Sequence, residues 1–142
     1  MLEKLRQGSG INVADFEALV GLQKDPVVLA VNANSPYQSL DALLAAANAS
    51  NHPLNVAGDG PNSNNQLQLV VAEKLLGVEF NFIPFNGSAP SITALLGNQV
   101  EAAVPSASSA TRFVRRGDIR VLAVFAPDRY EYLRLMTDEP ET

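Results

Sequence analysis

From residue 27 onward, apolar and polar positions fall into blocks that predict strand and helix in turn. Residues 27–31 form a short continuous apolar run, the pattern of a strand covered on both faces. Ser39 follows as a predicted N-cap, with Asp41 in the first turn and Leu40, Leu43, Leu44 and Ala47 on one helical face. After Pro53, residues 54–57 read as a second strand. A helix over about residues 65–76 then places Leu67, Val70, Val71 and Leu75 inward and stops at Gly77. Residues 80–83 are the third strand, and Ser88 is the predicted cap of a short helix carrying Ile92, Leu95 and Leu96 to Gly97. Residues 100–104 make the fourth strand. A helix over about residues 107–116 aligns Ala107, Ala110, Thr111 and Val114, and Ile119–Phe125 is the fifth strand. Short connections between alternating elements predict an α/β domain, a mostly parallel five-stranded sheet with helices on both faces. The repeat occupies residues 27–126. Residues 1–26 form an N-terminal segment that does not complete it, and residues 127–142 form a polar C-terminal tail.

The turns carry more information than the strands. Residues 54–66 and 82–90 each run from an apolar strand through a Gly- and Asn-rich turn into a helix. The first turn of a helix leaves N–H groups without intrahelical partners and carries the positive end of the helix dipole. Two such turns suggest a place where an anion is held by amides rather than by Lys or Arg. In α/β sheets ligands bind beyond the carboxyl ends of the strands, where both turns and Pro105-Ser106 fall. The candidate ligand-binding residues are Gly60, Asn62, Ser63, Asn64, Phe85, Asn86, Gly87, Ser88 and Ser106. Asn residues also form turns without any function, and Ser63 is equally a structural cap. Asp59 would repel an anion if it pointed inward, so it is expected to face solvent. Phe82, Phe85 and Val104 can supply an apolar wall, with Phe82 read as core.

Composition narrows the chemistry. The 142 residues fit one domain with a core of its own, and 46% hydrophobic with 18% charged residues is a globular balance. No apolar run approaches the roughly 20 residues of a membrane helix. The net charge of −5 argues against nucleic acid as a partner, and Arg112, Arg115 and Arg116 read as complements to a helix end. The chain has no cysteine, which excludes disulfides and thiolate chemistry, and no metal cluster or cofactor is expected. The N-terminus lacks the apolar stretch of a signal peptide. Catalysis has little to stand on: His52, the sole histidine, sits in a turn between Asn51 and Pro53, and no base is placed for Ser63. Gly58-Asp59-Gly60 has the glycines of a phosphate cradle, but no Gly-Lys-Ser/Thr follows.

At these turns the chain resembles the solute-binding proteins of tripartite tricarboxylate transporters, the Bug-type family. That family carries a stretch like Leu-Asn-Tyr-Gly-Ser-Ser-Gly-x-Gly-Ser-x-x-His-Leu, matched here by Leu54-Asn-Val-Ala-Gly-Asp-Gly-Pro-Asn-Ser-Asn-Asn-Gln-Leu67. Its Val-Pro-Tyr-Lys-Gly-Ser-Ala-Pro is matched by Ile83-Pro-Phe-Asn-Gly-Ser-Ala-Pro90, and its Leu-Leu-Gly-Gly-Gln-Val by Leu95-Leu-Gly-Asn-Gln-Val100. Gly-Lys-Leu-Arg-Ala-Leu-Ala-Val is matched by Gly117-Asp-Ile-Arg-Val-Leu-Ala-Val124, and Ser35-Pro-Tyr-Gln-Ser-Leu-Asp-Ala-Leu43 is also similar.

The resemblance implies one lobe, mainly the second, of a type II periplasmic-binding-protein-like fold. It also implies a periplasmic receptor, not an enzyme, that takes a small organic carboxylate and delivers it to a membrane permease. Residues 1–26 would then be a hinge or first-lobe remnant, and residues 127–142 a return toward the missing lobe. An apolar face left by that lobe would favour self-association. Departures fall at cleft positions: Gly58-Asp59 stands for Ser-Ser, Phe85-Asn86-Gly87 for Tyr-Lys-Gly, and Val104-Pro105-Ser106 for Phe-Asp-Asn. The alternatives are a ligand-sensing effector domain, for which no helix-turn-helix is visible, and a small α/β enzyme acting on a phosphorylated substrate.

Overall fold

The computed structural model describes residues 13–22 and 24–126. The expectations for residues 127–142, and for residues 1–12 and 23 of the N-terminal segment, lie outside these. Five strands are present: β1 (Val27–Asn32), β2 (Leu54–Asp59), β3 (Phe80–Phe85), β4 (Ala102–Val104) and β5 (Ile119–Phe125). Four helices alternate with them: α1 (Leu40–Ala49), α2 (Asn64–Leu76), α3 (Ser88–Leu96) and α4 (Ala107–Arg115). A 3-10 turn at Val13–Asp15 precedes this unit, and Phe16, Leu19, Val20 and Leu22 after it are exposed.

The strands form one sheet in the order β3-β2-β4-β1-β5. β2 pairs in parallel with β3 and β4, whereas β1 pairs antiparallel with β4 and β5. Four strands therefore point the same way and β1 runs against them, a mixed sheet. A helix between two strands reads the same in sequence whichever way the first strand runs. Here the direction is set by pairing: Val27 lies opposite Phe125 and Asn32 opposite Ile119.

Both faces are covered. On one, Val28, Ala30, Ala57 and Ala103 meet Ile92 and Leu95 of α3 and Ala107 and Ala110 of α4. On the other, Val27, Leu29, Val31, Val56 and Val104 meet Leu43 of α1 and Leu69 of α2. Successive residues of β1 thus serve opposite faces, as strand geometry requires. Ser39 caps α1 as expected, its hydroxyl accepting from the Ala42 amide. Gly77 closes α2 in the left-handed conformation at φ 67°.

The orientation of α2 differs from expectation. Asn65, Leu69 and Ala72 are buried, while Leu67, Val70, Val71 and Leu75 are exposed, Leu75 at 81%. Apolar residues occur nearly all round this helix, so their spacing alone does not choose a face. A hydrogen bond does choose: buried Asn65 donates through Nδ2 to the Val104 carbonyl at 2.6 Å, turning its stripe onto the sheet.

Candidate functional site: one edge of the sheet

The carboxyl ends of β2, β3 and β4 converge on one edge, with Asp59 opposite Phe85 and Gly58 opposite Val104. Because β1 runs in reverse, its start lies on this same edge: Val27 pairs with Phe125 and bridges to Ser106. The chain therefore enters the sheet at Pro26 and leaves it after Phe125 beside the strand-end loops. The starts of α2, α3 and α4 follow those loops, so all three share this rim.

Hydrogen bonds knit the rim together. The Gly60 amide donates to the Phe85 carbonyl at 2.7 Å, joining the first two loops. The Ser88 hydroxyl lies 2.9 and 3.0 Å from the two Asp59 oxygens and donates to that carboxylate. The Ser106 amide in turn donates to the Ser88 hydroxyl at 3.4 Å. Asp59 at the end of β2, Ser88 at the start of α3 and Ser106 just before α4 thus form one chain of contacts. Asp59 does not simply face solvent, as the sequence suggested. It is partly buried against Ser88, because parallel pairing sets the end of β2 beside the start of α3.

The helix starts are satisfied to different degrees. At α2, the Ser63 hydroxyl accepts from the Gln66 amide and the Gln66 Oε1 accepts from the Asn62 amide at 2.6 Å. This is a reciprocal closure of the turn by its own side chains. At α4, the Ala107 amide donates to the Pro26 carbonyl at 2.8 Å and the Ser108 amide to Asp25 Oδ1 at 3.0 Å. The Ser106 hydroxyl does not cap its helix and instead bonds Ser109 at 2.9 Å. At α3 the cap is Gly87, at φ 110°, and no side chain caps the first turn. Ser88, expected as the cap, is the first helical residue instead. The α3 start thus lacks any side-chain cap and offers the Ser88 and Ala89 amides, since Pro90 has no N–H.

Of the sequence candidates, Gly60, Phe85, Ser88 and Ser106 are brought together by these contacts. Asn62 sits exposed in the left-handed region at φ 57°, which asparagine tolerates, and Asn64 and Asn86 are exposed beside their turns. Ser63 serves as a cap. Phe85 is half-buried and packs against the α3 and α4 side of the core. Asp25, Asn65 and the acceptor role of Asp59 escaped sequence reasoning. An aspartate just before Pro26 at a strand start was the available signal for Asp25. His52 is exposed between α1 and the start of β2, at the end of that strand away from the rim. Among the described residues no group of three or more His, Cys, Asp or Glu is placed to hold a metal ion, and no helix is long and apolar enough to cross a membrane.

Comparison with known proteins gives this rim a context. Protein BugT of Bordetella pertussis is 32% identical over 104 residues, which cover 73% of this chain and 32% of BugT. The UPF0065 protein of the tcbD-tcbE intergenic region of Pseudomonas is 28% identical over 119 residues, 84% of this chain and 35% of that protein. Among solved structures, a TctC solute-binding protein from Polaromonas without ligand superposes with a TM-score of 0.70 at 34% identity, over 75% of this chain and 36% of the other. MatC from Rhodopseudomonas palustris, with bound malate, gives 0.69 at 25% identity over 77% and 37%. The chain thus spans about a third of the length of these relatives. A family model, the tripartite tricarboxylate transporter family receptor, matches residues 9–136. On that match, the chain belongs to the tripartite tricarboxylate transporter receptor family.

Proposed function

We infer that this chain is a ligand-binding lobe of a periplasmic receptor that takes a small carboxylate-bearing metabolite for uptake through a membrane permease. The observation that carries the reading is the meeting of three strand-end loops on one rim, with the α3 start left uncapped by any side chain. A carboxylate set there would accept from the Ser88 and Ala89 amides and gain from the α3 dipole. Gly87 lets the backbone approach closely, because its φ of 110° suits no residue with a Cβ. Gly60, Asn62, Ser63, Asn64, Phe85, Asn86 and Ser106 are the proposed surroundings. The amides would orient the ligand and Phe85 would supply an apolar wall. MatC, a relative of similar fold, was solved with malate bound, which supports a carboxylate ligand here.

Both connections of the lobe, at Pro26 and after Phe125, lie on this rim. A second lobe hinged there would close over the loops, as in the two-lobed receptor that the family implies. One lobe alone should bind weakly. A micromolar complex needs about −8 kcal/mol, and charge-assisted hydrogen bonds supply about 1.5–3 kcal/mol each. Association costs roughly 4–15 kcal/mol before any gain appears. Saturation-transfer NMR with butyrate and with its uncharged amide tests the reading. Butyrate should show transfer and the amide should not, whereas equal transfer to both would contradict recognition of a carboxylate.

A further inference from the structure

Asp59 places a negative charge where the proposed receptor is expected to hold an anion. Its carboxylate stands at the end of β2 against the first residue of α3, reached by one hydroxyl proton shared between its two oxygens. A carboxylate has about four acceptor positions, so most of this capacity remains for another donor. Ser88 is the donor toward Asp59, because an ionised carboxylate has no proton to give, and the same hydroxyl oxygen accepts from the Ser106 amide. Among the described residues no Lys, Arg or His pairs with Asp59, and the described ion pair, Arg116 with Asp118, lies at the start of β5. A second carboxylate, Asp25, occupies the start of α4 through the Ser108 amide and hydroxyl.

We propose that Asp59 is a specificity-determining residue that selects a ligand carrying a hydrogen-bond donor, an ammonium above all, at the position where a dicarboxylate would place its second acid group. This rests on the receptor reading and narrows it to an amino-bearing carboxylic acid. The ligand's carboxylate takes the Ser88 and Ala89 amides, and its ammonium donates to Asp59. A second carboxylate in that place would meet Asp59 at short range with no cation between them, and like charges there disfavour binding.

The experiment compares γ-aminobutyrate with glutarate, which both carry three methylenes between a carboxylate and a second charged group, an ammonium in one and a carboxylate in the other. Each is titrated by NMR into the 15N-labelled chain, as wild type, D59N and D59S. D59N keeps an acceptor for Ser88, and D59S restores the serine of the family motif. The wild type should prefer γ-aminobutyrate by about tenfold or more, a difference of about 1.4 kcal/mol. Both variants should lose most of that preference while glutarate binds more tightly than before. The proposal is overturned if the wild type binds glutarate as well as γ-aminobutyrate, or if neither variant changes the ratio. Either result leaves carboxylate binding at the rim standing. Failure of the wild type and both variants to bind either acid overturns the receptor reading and the role of Asp59 with it.

Discussion

Gly58 shows how closely the rim is packed. A Cβ built there would lie 2.5 Å from the Phe82 ring and 3.0 Å from Val104 Cγ2. The family motif has serine at this place, so Phe82 and a side chain at position 58 are alternatives for one space. Gly58→Ser should destabilise the fold by about 1–3 kcal/mol, the usual cost of overpacking. Phe82→Leu in the same chain should return part of it, a coupling that chemical denaturation of the single and double variants measures. Asn65 is the other residue with a large expected effect. Its amide meets the Val104 carbonyl from a buried position, and Asn65→Ala leaves that carbonyl unpaired at a cost of about 1–3 kcal/mol. Neither residue's role was legible in the chain. Asn65 stood in a run of turn-forming asparagines, and the space beside Gly58 depends on a neighbour 24 residues further on that only strand pairing brings close.

Among the elements, α2 separates propensity from placement. Leu69→Ala, at a side chain 1% exposed beneath the sheet, should cost about 2–5 kcal/mol. Leu75→Gln, at a position 81% exposed, should change stability by no more than about 0.5 kcal/mol. Thermal or denaturant melts of the two variants check this, and equal losses would mean that α2 is turned the other way. The sequence located α2 and its glycine stop, because caps and stops are local chemistry. It misplaced the inward face, because leucine and valine occupy nearly every side of the helix and the deciding contact is with a distant strand. The same limit applies to β1. Its apolar run revealed a buried strand, but its reversal, which brings Pro26 to the rim, is fixed by pairing with β4 and β5.

For the molecule as a whole, one topological fact organises the rest: three loops and both chain connections share a single edge of the sheet. That edge was legible in outline, since the strand-turn-helix segments at residues 54–66 and 82–90 pointed to it. How fully each helix start is occupied was not, because the Asp25 and Asp59 contacts cross between loops far apart in sequence. The direct test of the rim as the binding site is a backbone amide map of the 15N-labelled chain during a titration with butyrate, a monocarboxylate. Shifts confined to residues 60–64, 86–89 and 106–108, saturating at millimolar rather than micromolar butyrate, are the predicted result. Shifts centred instead on the opposite edge, around Ala33, His52 and Asn98, or no shifts in the high millimolar range, would contradict it.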